Sequence, residues 1–264
     1  MKIVAIGGGS VGRNGYEYEL KSFDENIVAF SGKAAPRLVF IGLALVAGEG
    51  VDSYYDTIAE NFTALGCSCE YLEERFLPDR SKIKKMLDRA DIIYVGGGNT
   101  LRLMNLFKRY GIVELLDNAK NRDCVLCGVS AGAICWNKYG NSDSRKFTSA
   151  STQLIKVTGL GYIDALYCPH YDTEPHRQPD LKRMMKSTRG VALAFDNCAA
   201  LKIDGDKYEV LTCKPQAKAR KCYYDKGEYI ITELPPFGTV AELTSKPKKN
   251  NNNNTDIPDL TIRR

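Results

Sequence analysis

Histidine is scarce in this chain: 264 residues hold two, His170 and His176. Any proton transfer that needs an imidazole near neutral pH must use one of them. Long apolar runs are missing as well, none approaching the roughly 20 residues of a membrane span. The N-terminal run Met1-Lys2-Ile3-Val4-Ala5-Ile6-Gly7 is too short for a signal peptide and predicts a first core strand, so the expectation is a cytoplasmic protein. The nine cysteines are odd in number and scattered, and no second pair with ligand spacing matches Cys124-x-x-Cys127. A disulfide framework and a zinc centre are therefore both disfavoured, and reduced, buried thiols are expected, Cys168 and Cys198 among them. No interleaving of arginine with aromatic residues marks a nucleic-acid face, and no internal repeat is visible.

The length and a hydrophobic content of 44% suit one large α/β domain with a sizeable core, assigned to residues 1–243. Net charge is +5, unevenly placed. From Thr244 onward, Lys246, Lys248, Lys249, Arg263 and Arg264 stand against Asp256 and Asp259. With the run Asn250 to Asn254, residues 244–264 are expected to be a disordered tail.

Strands are predicted at 2–6, 37–42, 67–72 and 91–95, with helices at 51–65, 79–89, 100–109 and 111–121. After about residue 160 the pattern turns β-rich, at 166–168, 191–195, 199–203, 207–211, 220–224 and 228–232. Alternating strands and helices imply a mostly parallel central sheet with helices on both faces, a three-layer α/β sandwich. The later strands imply an antiparallel, β-rich C-terminal extension.

The most informative segment is Val125-Leu126-Cys127-Gly128-Val129-Ser130-Ala131-Gly132-Ala133. A hydrophobic strand breaks into Gly-x-Ser-x-Gly and continues into a helix-forming stretch. This is the pattern of a nucleophile elbow, in which the glycines clear space around an exposed serine hydroxyl. Ser130 is thus the candidate nucleophile. A second glycine run, Gly96-Gly97-Gly98-Asn99-Thr100, follows a strand where an α/β sheet presents its ligand crevice. The N–H of Ala131, with that of Gly97 or Gly98, is the candidate oxyanion hole. Asn99 and Thr100 are expected to cap the next helix and to touch substrate. Gly7-x-Gly9-x-x-Gly12 formally matches a dinucleotide fingerprint. It is rejected because no strand ending in an acidic residue follows at the required spacing.

His170, in Tyr167-Cys168-Pro169-His170-Tyr171-Asp172, stands at a strand end and is preferred as the base over His176 in its polar loop. The orienting carboxylate is assigned first to Asp196, at the end of Leu193-Ala194-Phe195, with Asp143 and Asp172 as competitors. Arg177 and Arg183 offer planar forks for an acidic group on the substrate, Arg177 being preferred.

Three of these motifs, Gly96-Gly97-Gly98-Asn99-Thr100, Gly128-Val129-Ser130-Ala131-Gly132-Ala133 and Pro169-His170-Tyr171, occur together and in this order in the peptidase E and cyanophycinase family, which this chain resembles over roughly residues 1–235. The resemblance implies a class I glutamine amidotransferase-like sandwich and a cofactor-free serine peptidase, with Ser130 as nucleophile, His170 as base, and Gly98 with Ala131 as oxyanion hole. It implies small peptides as substrates, with an N-terminal aspartate as in peptidase E, or β-aspartyl bonds as in cyanophycinase. A small homo-oligomer, such as a homodimer, is expected. The family usually places Glu-Gly where this chain has Asp196-Asn197, a carboxylate one methylene shorter. Related amidotransferases carry cysteine at the elbow, so Ser130 argues against ammonia transfer. A catalytically silent binding module of the same fold is the alternative from another class, and the serine–histidine pair speaks against it.

Overall fold

A computed structural model describes residues 1–12, 15–46, 50–149 and 151–247. The first half alternates strand and helix: β1 (Lys2–Ile6), α1 (Lys21–Ser31), β2 (Arg37–Ile41), α2 (Val51–Ala64), β3 (Ser68–Leu72), α3 (Arg80–Arg89) and β4 (Ile92–Val95). There follow α4 (Thr100–Arg109), α5 (Ile112–Lys120), β5 (Val125–Val129) and the short α6 (Ala131–Ile134). The second half is β-rich: β6 (Asn137–Ser142), α7 (Lys146–Ser149), β7 (Ile155–Thr158), β8 (Ile163–Cys168), α8 (Arg177–Met185), β9 (Ala192–Phe195) and β10 (Ala199–Asp204). It closes with β11 (Lys207–Thr212), β12 (Ala219–Asp225), β13 (Glu228–Glu233), β14 (Phe237–Thr239) and α9 (Val240–Thr244).

The strands form two sheets. The first runs β14-β11-β10-β1-β5-β4-β2-β3, and the second β13-β12-β9-β8-β6-β7. The expected α/β architecture with a mostly parallel central sheet holds, since β1, β5, β4, β2 and β3 pair in parallel. The later strands do not make one extension. Some continue the first sheet as an antiparallel wing, and the others build the second sheet together with β6 and β7. Strands β4 and β5 are buried at every position, which is why Ile92-Ile93-Tyr94-Val95 and Val125-Leu126-Cys127 read as unbroken hydrophobic runs.

One core joins the two sheets, with Ile3, Val95 and Leu126 of the first packed in the same cluster as Tyr167, Leu193 and Phe195 of the second. Tyr167 is fully buried, stacks on Phe195 with ring centroids 5.3 Å apart, and donates its hydroxyl to the Ala5 carbonyl at 3.0 Å. The opposite face of the first sheet is closed by α1 and α2 through Phe23, Ile27, Tyr54 and Phe62. Cys124 belongs to the core between the sheets and Cys127 to the α1/α2 side, so the Cys-x-x-Cys pair lies on opposite faces of β5 and cannot share a ligand. Among the described residues no helix is long and apolar enough to cross a membrane, and no group of three potential metal ligands gathers. The expected tail lies outside the described residues from 248 onward; Thr244 ends α9.

Because the Tyr167 hydroxyl is a buried polar tie between the two sheets, Tyr167→Phe is expected to cost about 1 kcal/mol of stability with the fold intact. Urea unfolding with an unchanged m-value checks this. A variant as stable as wild type would show that the tie contributes nothing net.

Candidate active site

The parallel strands β1, β5 and β4 lie side by side and end at the same edge of the sheet. Each ends in small residues: Gly7-Gly8-Gly9 after β1, Ser130 after β5, and Gly96-Gly97-Gly98 after β4. Ser130 adopts φ 55° and ψ −111°, a strained conformation for a residue with a side chain, and its N–H donates to Ile6 O at 3.1 Å. The flanking glycines are steric necessities. A Cβ on Gly128 would lie 2.5 Å from Val95 O, and one on Gly132 would lie 2.6 Å from Val95 C. The chain can therefore reverse tightly against β4 and leave Ser130 half-buried at the crevice. Ala131 opens α6, so its N–H has no acceptor within the helix.

His170 comes from the other sheet, two residues beyond β8, with φ 52°. Its N–H donates to Gly7 O at 3.1 Å. The Ser130 hydroxyl meets His170 Nε2 at 2.9 Å, and His170 Nδ1 meets Asn197 Oδ1 at 2.7 Å. An amide oxygen only accepts, so Nδ1 carries the proton and Nε2 presents its lone pair to the serine. Asn197 is held in turn by its N–H, which donates to Asp172 Oδ1 at 2.8 Å. Burial, followed by the nearby Arg177 guanidinium, pushes the His170 pKa below its ordinary value; Glu174 and the Asn197 bond oppose this.

The carboxylate expected at the imidazole is elsewhere. Asp196 accepts from Arg220 at 2.6 Å and from the Lys218 N–H at 3.0 Å, tying the end of β9 to the start of β12. Consecutive residues at a strand end point to opposite sides, so Asp196 faces β12 while Asn197 faces the ring. Asp172 serves the backbone of Asn197 and not the ring, and Asp143 pairs with Lys146 at 2.7 Å. His176 is exposed and starts α8.

The glycine loop after β4 meets the serine as expected in part. A Cβ on Gly97 would lie 3.5 Å from Ser130 Cβ, but the Gly97 N–H is aimed at the Tyr54 hydroxyl at 3.4 Å. Gly98, at φ 136°, has its Cα pressed against the Ala44 carbonyl, where a Cβ would sit at 2.7 Å. Asn99 and Thr100 are both buried; Asn99 caps α4 by accepting from the Arg102 N–H at 3.0 Å. Asn99 still lines a surface pocket together with Leu101, Arg102 and Phe147. Arg177 is likewise buried, donating to Glu174 at 2.7 Å and to Asn141 O at 2.5 Å, and Arg183 is spent on Asp180 and Leu154 O. The expectation that Arg177 reads substrate therefore fails on geometry: its fork is enclosed and engaged.

Sequence reasoning missed Gly8 and Asn197. A Cβ on Gly8 would overlap Asn197 Oδ1 and the His170 ring, reaching 2.5 Å from Cε1. The rejected dinucleotide match was the available signal, because a glycine run beside the elbow strand marks a close approach of some kind. Gly8→Ala is expected to keep the fold and to slow labelling of Ser130 by a fluorophosphonate about tenfold or more. Labelling at the wild-type rate would show that the His170–Asn197 bond is not needed to activate the serine.

The chain matches the model of peptidase family S51 over residues 3–211. It is 31% identical over 236 residues to the uncharacterised peptidase YgaJ of Bacillus subtilis, covering 89% of this chain and 96% of YgaJ. It is 27% identical over 129 residues to peptidase E of Streptomyces coelicolor, 46% of this chain and 52% of that protein. The fold is similar to that of a peptidase from an acI-B1 actinobacterium, with a TM-score of 0.60 at 15% identity over 87% of this chain and 96% of the other. A match to the family model across most of the chain, with a relative aligned along nearly its whole length, places this protein in peptidase family S51.

Proposed function

We propose that this family member is a serine peptidase in which Ser130 and His170 carry the chemistry and Asn197 orients the imidazole. The observation that carries the proposal is the 2.9 Å contact between the Ser130 hydroxyl and His170 Nε2 on a strained elbow. His170 takes the hydroxyl proton as Ser130 attacks the peptide carbonyl, then gives it to the leaving amine. The N–H groups of Ala131 and Gly98 receive the developing oxyanion. Water then hydrolyses the acyl-enzyme by the same route. Because the orienter is an amide and not a carboxylate, it fixes the tautomer but brings no negative charge to the imidazolium.

Small peptides are the substrates in this reading, and the likeness to peptidase E makes those with an N-terminal aspartate the first class to try. Arg177 does not supply the cation for that preference, being enclosed by Glu174 and Asn141. Nine unpaired cysteines support a reducing, cytoplasmic compartment.

A panel of Asp-Xaa, Leu-Xaa and β-aspartyl dipeptides, with wild type and Ser130→Ala, tests the proposal. Hydrolysis of the Asp-Xaa set that vanishes in the variant is expected. Cleavage of the β-aspartyl set alone would move the substrate class, and turnover by Ser130→Ala would remove the mechanism.

The pH dependence follows from the same site. Only neutral imidazole can accept the proton, and His170 is shifted below its ordinary value. The acid limb of kcat/KM is therefore expected below about pH 6.5, with full activity at neutral pH. Asn197→Asp places a carboxylate at Nδ1, stabilises the imidazolium and should move that limb upward. A limb that stays in place would separate Asn197 from the titrating group.

A further inference from the structure

Cys198 directly follows Asn197 and has a left-handed φ of 62°. It precedes β10, whose register with β11 pairs Ala199 with Thr212. One step further along, the Cys213 N–H donates to the Cys198 carbonyl at 3.0 Å. The two cysteines are therefore opposed across an antiparallel pair, with their side chains on the same face. The two thiols are near enough to perturb each other's titration. Opposed residues in such a pair have Cα atoms about 4.5–5.5 Å apart, within the span a disulfide bridges. Cys198 is buried, whereas Cys213 is partly exposed and gives access from solvent. The Cys198 thiol also meets Glu19 at 3.8 Å, and Glu19 is ion-paired with Lys214.

We propose that Cys198 and Cys213 are a modification site, closing a reversible disulfide on exposure to hydrogen peroxide, and that this bond slows the enzyme by drawing Asn197 away from His170. In the first step Cys213 sulfur attacks a peroxide oxygen. The S–O bond forms, the O–O bond breaks, and the departing hydroxide takes the thiol proton as water. Cys198 sulfur then attacks the sulfenic sulfur of Cys213, the S–S bond forms, and the S–O bond breaks with loss of a second water. Two thiols lose two electrons in all, and one peroxide is reduced to two waters.

Bonding brings the sulfurs from non-covalent contact to about 2.05 Å. Part of that movement passes to the Cys198 backbone, already strained and bonded to Gly8 O at 2.9 Å, and so to the adjacent Asn197. Burial, then the neighbouring Cys213 thiol, pushes the Cys198 pKa up to about 12, and burial raises that of Cys213. The slowing rests on the catalytic reading of Ser130, His170 and Asn197; the disulfide does not.

The test is to treat the reduced, full-length protein with hydrogen peroxide, map disulfides on alkylated peptides, and follow fluorophosphonate labelling of Ser130 in parallel. A Cys198–Cys213 linked peptide is expected, with labelling slowed about tenfold or more and restored by dithiothreitol. Cys213→Ser should label like the reduced wild type before and after peroxide. Free Cys198 and Cys213 after treatment would overturn the modification site, and a linked peptide with unchanged labelling would overturn its effect. Reduced wild type that never labels would instead remove the catalytic reading, and the peptide map alone would then decide the disulfide.

Discussion

The crevice depends on how closely the backbone after β1 approaches two loops of the other sheet. Gly7 O accepts from the His170 N–H and Gly8 O from the Cys198 N–H, while the Gly7 N–H donates to Ala199 O. These three bonds fix the base and its orienter relative to the serine. They form only because residues 7 and 8 lack side chains: a Cβ on Gly7 would lie 2.5 Å from Asp196 O, and one on Gly8 would displace the imidazole. The hydrophobic core brings the sheets together, but the glycine contacts set the position of the ring.

Backbone strain accompanies this arrangement. Ser130, His170 and Cys198 all have positive φ without being glycine, and all three lie at the crevice or next to it. Each such conformation costs of order 1 kcal/mol or more, a cost the surrounding packing must offset. Elsewhere among the described residues only Lys226, in a hairpin turn, does the same. The strain is thus concentrated where Ser130, His170 and the residue after Asn197 are presented.

Much of this was legible in the sequence. The elbow strand, the glycine loop after β4 and His170 each carry a local signature: an unbroken apolar run, a cluster of small residues, and one of only two histidines at a strand end. The helix Lys21–Ser31 was missed, although Phe23 and Ile27 share its buried face and Gly32 ends it in a left-handed conformation. Its polar residues mask a short apolar stripe. Asp196 was assigned to the imidazole, where the structure puts its neighbour Asn197, for a different reason. Which of two adjacent residues faces the ring depends on the strand's orientation against β12, and that is set by Arg220 and Lys218, more than 20 residues away. Arg177 also looks like a surface residue in its polar loop; only the fold shows it sealed against Asn141. Pattern reasoning reaches what neighbours in sequence determine, and these assignments are made by neighbours in space.

The crevice draws its parts from both sheets, and this gives the chain a built-in order of events. The serine and its base are separated by 40 residues and lie on different sheets; the orienter lies 27 residues further along. A chain emerging from the ribosome can complete the elbow and the first parallel strands well before β8 and β9 exist. In the proposed mechanism the hydroxyl has no base until those strands dock. On that reading, proteolytic competence arrives only with the docked fold.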